Sequence, residues 1–391
     1  MQKEIYFDNS ATTRQFDEVT SLVAEVSRNI YGNPSSLHTK GIEAEKVVNT
    51  ARDILASSLG AQAKEIYFTS GGTESNNLAI RGFLRANPRN GKHIITTKIE
   101  HPSVLEVFHY LEQQGYSVDY IDVDENGKVL LDQLKEKLSA DTSLISIMLV
   151  NNETGTIQDI NEISAIRNSV NPSTVIHVDA VQAYGKIAIS PAKSGIGMLS
   201  ISSHKIHGPK GMGALYVSKE LKIKPILFGG GQESLLRSGT ENVPGVAGFG
   251  EAARLVTGSL EEENKKVSAV KEAFLEKLAA TELTYKVVSP KDASPYILNI
   301  AFDNIKSEVL LHHLEQRGIF VSTGSACSSH KNTKSHVLTA MKVPQSLIDG
   351  ALRFSFSTFN TSEEAQAAVE HINEIIPIIE IRKKQKIRRQ L

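Results

Sequence analysis

The sequence predicts an α/β fold built on a largely parallel sheet, followed by a smaller α+β part. Three observations predict it. Short apolar runs alternate with longer stretches of helical periodicity through the first half of the chain. Those runs are hydrophobic at nearly every position, as strands covered on both faces must be, and do not alternate like strands of a half-exposed sheet. From about Glu251 the alternation gives way to charged amphipathic helices and isolated strands.

In chain order, 65–69 (EIYFT), 93–97 (HIITT), 143–150 (SLISIMLV), 174–178 (TVIHV) and 198–202 (MLSIS) read as strands. Between them, 103–114, 131–138 and 160–169 carry apolar residues at helical spacing. Beyond them one long helix is expected over 251–280. Strands near 296–302 and 320–322 then flank a helix over 307–316, with Ser307 suited to an N-cap and Gly318 to a C-terminal stop. A strand over 352–356 and a helix from Glu363 onward complete the smaller part, onto which the N-terminal segment is expected to fold back. The tail 382–391 (RKKQKIRRQL) carries basic residues and no acids, and reads as a solvated helix end or a docking element.

Composition narrows the function. The chain has 391 residues and a formal charge of −1, which gives no global attraction to nucleic acid or anionic membrane. At roughly 150 residues per domain, two or three domains are expected. No apolar run approaches the roughly 18 residues of a membrane span, and 1–8 lacks a signal-peptide core, so a cytoplasmic protein is the expectation. The single cysteine, Cys327, excludes an intramolecular disulfide and a multi-cysteine metal site.

Three expected strand ends carry chemistry. Lys205 follows the strand 198–202 amid small and turn-forming residues (SISSHKIHGPKGMG), where partial desolvation would make its amine a nucleophile for a carbonyl. Exposed loop lysine is the alternative. Asp179 ends the strand in TVIHVDAVQ, in the crevice where open α/β sheets bind ligands, and is there either a partner for a cation or a helix N-cap. The strand 65–69 runs into SGGTESNN, whose Gly71, Gly72 and Thr73 at a helix start make an anion site from backbone N–H groups, or simply a capped helix start. An amine, a carboxylate and a phosphate cradle together are what pyridoxal phosphate requires.

These segments resemble the class V aminotransferases, a family of fold-type I pyridoxal-phosphate enzymes, and within it the cysteine desulfurases of the NifS/IscS type. The resemblance rests on YFDNSATT (6–13), YGNPSSLH (31–38), TSGGTESNN (69–77), EHPSV (100–104), NNETGTIQ (151–158), HVDAVQAYGK (177–186), SSHKIHGPKGMGALYV (202–217), RSGTENVPG (237–245) and GSACSS (324–329). It implies a fold-type I transferase with a mostly parallel seven-stranded sheet in a large cofactor-binding domain, 14–250. A small α+β domain of 1–13 and 251–391 would carry the cysteine loop.

By the same resemblance Lys205 would hold pyridoxal 5'-phosphate as a Schiff base and move the substrate α-proton. Asp179 would face the pyridine nitrogen, Gln182 the ring hydroxyl, and His101 the ring face. Gly72, Thr73, Ser202 and His204 would hold the phosphate, joined by Thr240 of a neighbouring subunit, so a homodimer is implied. Arg353, with Asn152 at the same end of the site, would bind the substrate carboxylate through its guanidinium fork; a surface ion pair is the alternative.

Cys327 lies among small and polar residues with little apolar partner density, and Lys331, Lys334, His330 and His336 nearby would favour its thiolate. The resemblance makes Cys327 the nucleophile that takes sulfur from L-cysteine, leaving alanine and a persulfide for a sulfur-acceptor protein of iron–sulfur assembly or tRNA or cofactor thiolation. The long segment around it resembles group I of the family. Two alternatives stay open: a lyase or aminotransferase of the same family, such as a selenocysteine lyase, with an incidental thiol; or a non-catalytic partner-binding homologue.

Overall fold

The structure, a computed structural model, describes residues 4–323 and 334–388, with side chains through residue 379. A seven-stranded sheet dominates, in the spatial order Ile66–Thr69, Gly213–Val217, Met198–Ser202, Val175–Asp179, Thr142–Met148, His93–Thr97, Ser117–Ile121. Gly213–Val217 runs antiparallel to both of its neighbours, and the other pairings are parallel. Six strands therefore present their carboxyl ends at one edge, the side on which such sheets bind ligands.

The five strands expected from apolar runs are present, two with the expected ends and three with ends shifted by one or two residues. The other two lack that signal for different reasons. Ser117–Ile121 is the sheet's edge and buries only Ile121, so it has no apolar run to read. Gly213–Val217 is fully buried but opens on Gly-Ala, residues depleted in strands.

Helices pack on both faces. Gly72–Ala86 starts directly beyond Ile66–Thr69 and buries Leu78, Ile80, Phe83 and Leu84. Thr39–Leu59 and Val243–Gly258 lie together, joined through buried Ala51, Leu55, Phe249 and Ala252. Each fully buried Leu or Phe contributes roughly 1.5–3 kcal/mol relative to exposure.

The smaller part contains a four-stranded antiparallel sheet in the order Ser322–Thr323, Ala351–Ser355, Ile297–Phe302, Tyr285–Val287. Ile5–Tyr6 pairs in parallel with Ile319–Phe320, and Asp8 bridges to Ser355, so the N-terminal segment does fold onto this region. Phe7 seals the junction against Phe356 at 5.1 Å between ring centroids, and Phe274 meets Phe354 at 4.7 Å.

Two expectations here need correction. The helix over 251–280 is two helices, Val243–Gly258 and Leu260–Ala279. The first begins early because the Asn242 side chain caps it, accepting from Gly245 N at 3.1 Å, with Pro244 in its first turn. It stops at Gly258–Ser259, where glycine is a poor helix former and Ser259 leaves helical φ/ψ. Ser307 is the first helical residue, not the cap: Lys306 holds the cap position, and Ser307 N donates to Asp349 O at 2.8 Å. Gly318, at φ 71°, does end that helix's turn. The final helix, Ser362–Arg388, is opened by a reciprocal cap in which Glu364 N donates to Thr361 Oγ1 and Thr361 N to Glu364 Oε2. Among the described residues, no helix is long and apolar enough to cross a membrane.

Candidate active site

Lys205 stands one short 3-10 turn, Ser203–Lys205, beyond the end of Met198–Ser202. It is half-buried, not a freely exposed loop lysine. Its Nζ donates to the carbonyl oxygens of Ser10 and, at 2.7 Å, Ala11. The N-terminal segment is held there by Thr13 N donating to His204 O at 3.0 Å and His207 N to Thr13 Oγ1 at 2.9 Å. His207 takes a left-handed backbone at φ 64°, fixed by stacking on Phe16 and by Nδ1–H on Arg14 O at 2.7 Å. Burial pushes this ring down to about 4, so it is neutral at physiological pH.

Asp179 ends its strand with 5% of its surface exposed. Both carboxylate oxygens are engaged: Oδ1 accepts from Val181 N at 3.0 Å in a turn that opens no helix, and Oδ2 accepts from the neutral Asn76 Nδ2 at 2.8 Å, so neither a helix N-cap nor a cation partner is what meets it among the described residues. Asn76 also donates to Ser103 Oγ, which meets His101 Nδ1 at 2.8 Å. Ser103 N donates to that same Nδ1 at 3.1 Å, making it an acceptor and placing the neutral ring's proton on Nε2. His101 thus caps the helix Pro102–Gln113. Burial lowers its pKa, Asp179 pulls it up, and Lys205 and His336 add to the lowering.

Gln182, one turn beyond Asp179, donates from Nε2 to Ser10 O at 2.9 Å. Its Oε1 accepts from Lys186 Nζ at 3.1 Å. Lys186 is 7% exposed and lies over the Tyr296 ring. Burial, reinforced by the charges of Lys205 and Arg353, brings its ammonium down to about 7.

The helix Gly72–Ala86 opens without a side-chain cap. A Cβ on Gly72 would sit 2.6 Å from Val181 Cγ2, so glycine is what lets this helix start approach the Asp179 turn. Thr73 is exposed. Ser202 lies beside Gly72 and its hydroxyl is buried without a partner among the described residues, as are Ser10 Oγ and Asn76 Oδ1. His204 Nδ1 meets Thr12 Oγ1 at 3.2 Å, and burial brings this ring to about 4. An orphaned buried polar atom costs about 1–3 kcal/mol. Three of them around one strand-end crevice fit a polar group bound there.

Arg353 sits mid-strand at 3% exposure, in register with Ser322 on one side and Asn299 on the other. The ion pair expected as its alternative is present but only partly at the surface, with Arg353 buried and Asp8 partly exposed: Nη2 donates to Asp8 Oδ1 at 2.9 Å. Nη1 donates to the backbone oxygen of Asn152 at 3.0 Å, which is that residue's link to the group. Asp8 is two residues from Ser10, so the N-terminal segment spans directly from Arg353 to Lys205.

Thr240 is exposed, three residues beyond Arg237, whose Nε donates to Glu74 Oε1 at 2.8 Å in the first turn of Gly72–Ala86. Cys327 lies outside the described residues, as do His330 and Lys331.

Several site residues carried no sequence signal of their own. Asn76 stands four residues after Gly72, on the same helix face, and that spacing could have found it. Asp8 lies within the YFDNSATT match. Glu153, whose carboxyl burial pushes up to about 7, accepts from Ser335 Oγ at 2.6 Å.

Glu100 is fully buried; its Oε1 accepts from Thr97 Oγ1 at 2.7 Å and Met148 N at 3.0 Å, and Oε2 has no partner among the described residues. Burial, with Asp179's charge adding, pushes its carboxyl up to about 8 against an ordinary 4.5. The folded protein therefore holds a proton here that the unfolded chain gives up from pH 4.5, and the group's stability contribution is lost as pH rises toward 8. Glu100→Gln keeps the acceptor oxygen without the titration. Its denaturation midpoint should match the native protein's near pH 4 and exceed it increasingly toward pH 8, by on the order of a few kcal/mol. Midpoints separated equally at every pH would contradict a neutral Glu100.

A model of the aminotransferase class-V family matches residues 5–368. Cysteine desulfurase IscS of Methanosarcina thermophila is 45% identical over 374 residues, covering 96% of this chain and 92% of that protein. Among solved structures, a NifS-like protein superposes with a TM-score of 0.91 at 40% identity, covering 96% of this chain and all of the other. SspA in complex with cysteine superposes with a TM-score of 0.80 at 34% identity, covering 91% and 99%.

Proposed function

The chain belongs to the class-V aminotransferase family, and from that membership we propose that it is a cysteine desulfurase dependent on pyridoxal phosphate. It converts L-cysteine to L-alanine and passes the sulfur to Cys327. The observation that carries this reading is the strand-end crevice in which Lys205, Asp179 and three orphaned polar atoms meet the N-terminal segment, with Arg353 at that segment's other end.

The donor set fits the cofactor. Gly72, Thr73, Ser202 and His204 would hold its phosphate, Asp179 its ring nitrogen and Gln182 its hydroxyl. When bound, the cofactor supplies a protonated ring that draws electrons from the substrate α-carbon. Lys205 Nζ takes the α-proton, and Arg353 fixes the carboxylate so that this proton faces the amine. Asp179, already held by two donors, would pair its carboxylate with the ring nitrogen. His101 would set its Nε2–H against the ring face. The Cys327 thiolate attacks the substrate sulfur: the sulfur–sulfur bond forms, the carbon–sulfur bond breaks, and the carbon skeleton takes up a proton to leave as alanine.

A homodimer fits the exposure of Tyr31, Leu37 (97%), Phe228 and Leu235 together with Thr240. A cytoplasmic setting keeps the lone thiol reduced, and a sulfur-acceptor protein would collect the product.

Mass spectrometry of the intact chain after incubation with L-cysteine tests the reading. One sulfur added on the Cys327 peptide, with alanine released, is expected; alanine and sulfide formed with an unmodified Cys327 would assign the chain to the lyases.

A further inference from the structure

Arg353 carries more than an anchor for substrate. Its guanidinium is buried, and a buried cation needs a counter-charge. Asp8 supplies it, through one oxygen on Nη2 at 2.9 Å. Nη1 is spent on the Asn152 carbonyl, and Nε is buried with no partner among the described residues. A carboxylate docks on guanidinium as a fork over two adjacent N–H groups. Nη2 belongs to both edges on which that fork can form, so an incoming carboxylate meets the Asp8 charge whichever edge it takes.

The backbone around Asp8 is fixed. Asp8 bridges to Ser355, and Asn9 is held by Nδ2 donating to Ser355 O at 2.9 Å. The Asp8 carboxylate, by contrast, is partly exposed, with a side-chain exposure of 21% against 4% for Arg353. The side chain can therefore yield without moving the chain that carries Ser10 and Ala11 to Lys205.

We propose that Asp8 is a specificity- and affinity-setting counter-ion that stands in for the substrate carboxylate on Arg353 and competes with it. The inference rests on the reading that Arg353 receives that carboxylate. Substrate and product amino acids bear the same group, so the competition weakens both alike. Its effect is to hold Arg353 in its docking position between turnovers and to ease release of the product.

The test is L-alanine binding to the cofactor-loaded protein, followed by the cofactor's absorbance, with alaninamide as the probe that lacks the carboxylate. Asp8→Asn should bind L-alanine about tenfold tighter, with alaninamide unchanged; in turnover KM for cysteine falls and kcat does not rise. Should Asp8→Asn fail to fold, Asp8→Ser makes the same test. Unchanged or weaker L-alanine binding overturns the proposal, and so does tightening shared equally by alaninamide. Arg353→Gln separates the underlying reading: it should lose L-alanine affinity, and if it does not, the assignment of Arg353 fails independently of Asp8.

Discussion

Lys205→Ala should abolish sulfur release from cysteine, by roughly 10³-fold or more, and leave the chain with no lysine that borohydride links to the cofactor. Two lysines compete for this role. Lys186, which burial brings down to about 7, is a readily neutral amine. Its Nζ, however, is committed to Gln182 Oε1 and lies over the Tyr296 ring. Lys205 comes off a strand end three residues beyond the orphaned Ser202, and its Nζ donates to backbone carbonyls that a bound cofactor can replace. Alanine also removes the donor to Ser10 and Ala11, which loosens the N-terminal segment by about 1–3 kcal/mol. Lys205→Arg keeps a donor there and removes only the nucleophile, so its activity should fall as far while its thermal stability stays nearer the native value. Borohydride reduction and peptide mapping decide the assignment. The cofactor mass is expected on Lys205 in the native chain and on no lysine in either variant. Its appearance on Lys186 in the native chain would overturn the reading.

What sequence could and could not reveal follows from range. The buried parallel strands were readable because burial on both faces writes an uninterrupted apolar run, and Asp179 and Lys205 were readable as polar residues directly after such runs. Edge strand Ser117–Ile121 buries one residue and writes nothing. The split at Ser259 was hidden because charged periodicity continues across it, and only one local residue leaves helical φ/ψ. In the site, residues close together in the chain were legible as a set, such as Asp179 and Gln182 in HVDAVQ. The Asp8–Arg353 pair joins positions 345 residues apart and depends on parallel pairing of Ile5–Tyr6 with Ile319–Phe320, which no local pattern encodes. Buried carboxylates such as Glu100 and Glu153 look like ordinary surface acids until their neighbours are known.

Cys327→Ala should leave cofactor binding and the alanine-induced absorbance change intact while sulfide and alanine production from cysteine falls to background. The argument is one of stoichiometry. The chain contains one cysteine, so the variant has no other thiol to accept the sulfur. In the native protein the same count sets a limit: a persulfide on Cys327 has no second thiol in its own chain to resolve it. On rapid mixing, before the substrate's own thiol attacks the persulfide, alanine should therefore appear as a burst of about one per chain, and adding a reductant should speed the slower phase that follows. Cys327→Ser removes the burst with minimal change in size. A lyase with an incidental thiol behaves otherwise: it forms alanine continuously without added thiol, and the substitution leaves its rate unchanged. A fast-phase amplitude well above one per chain would show that sulfur leaves without passing through Cys327, and the desulfurase reading would fall with it.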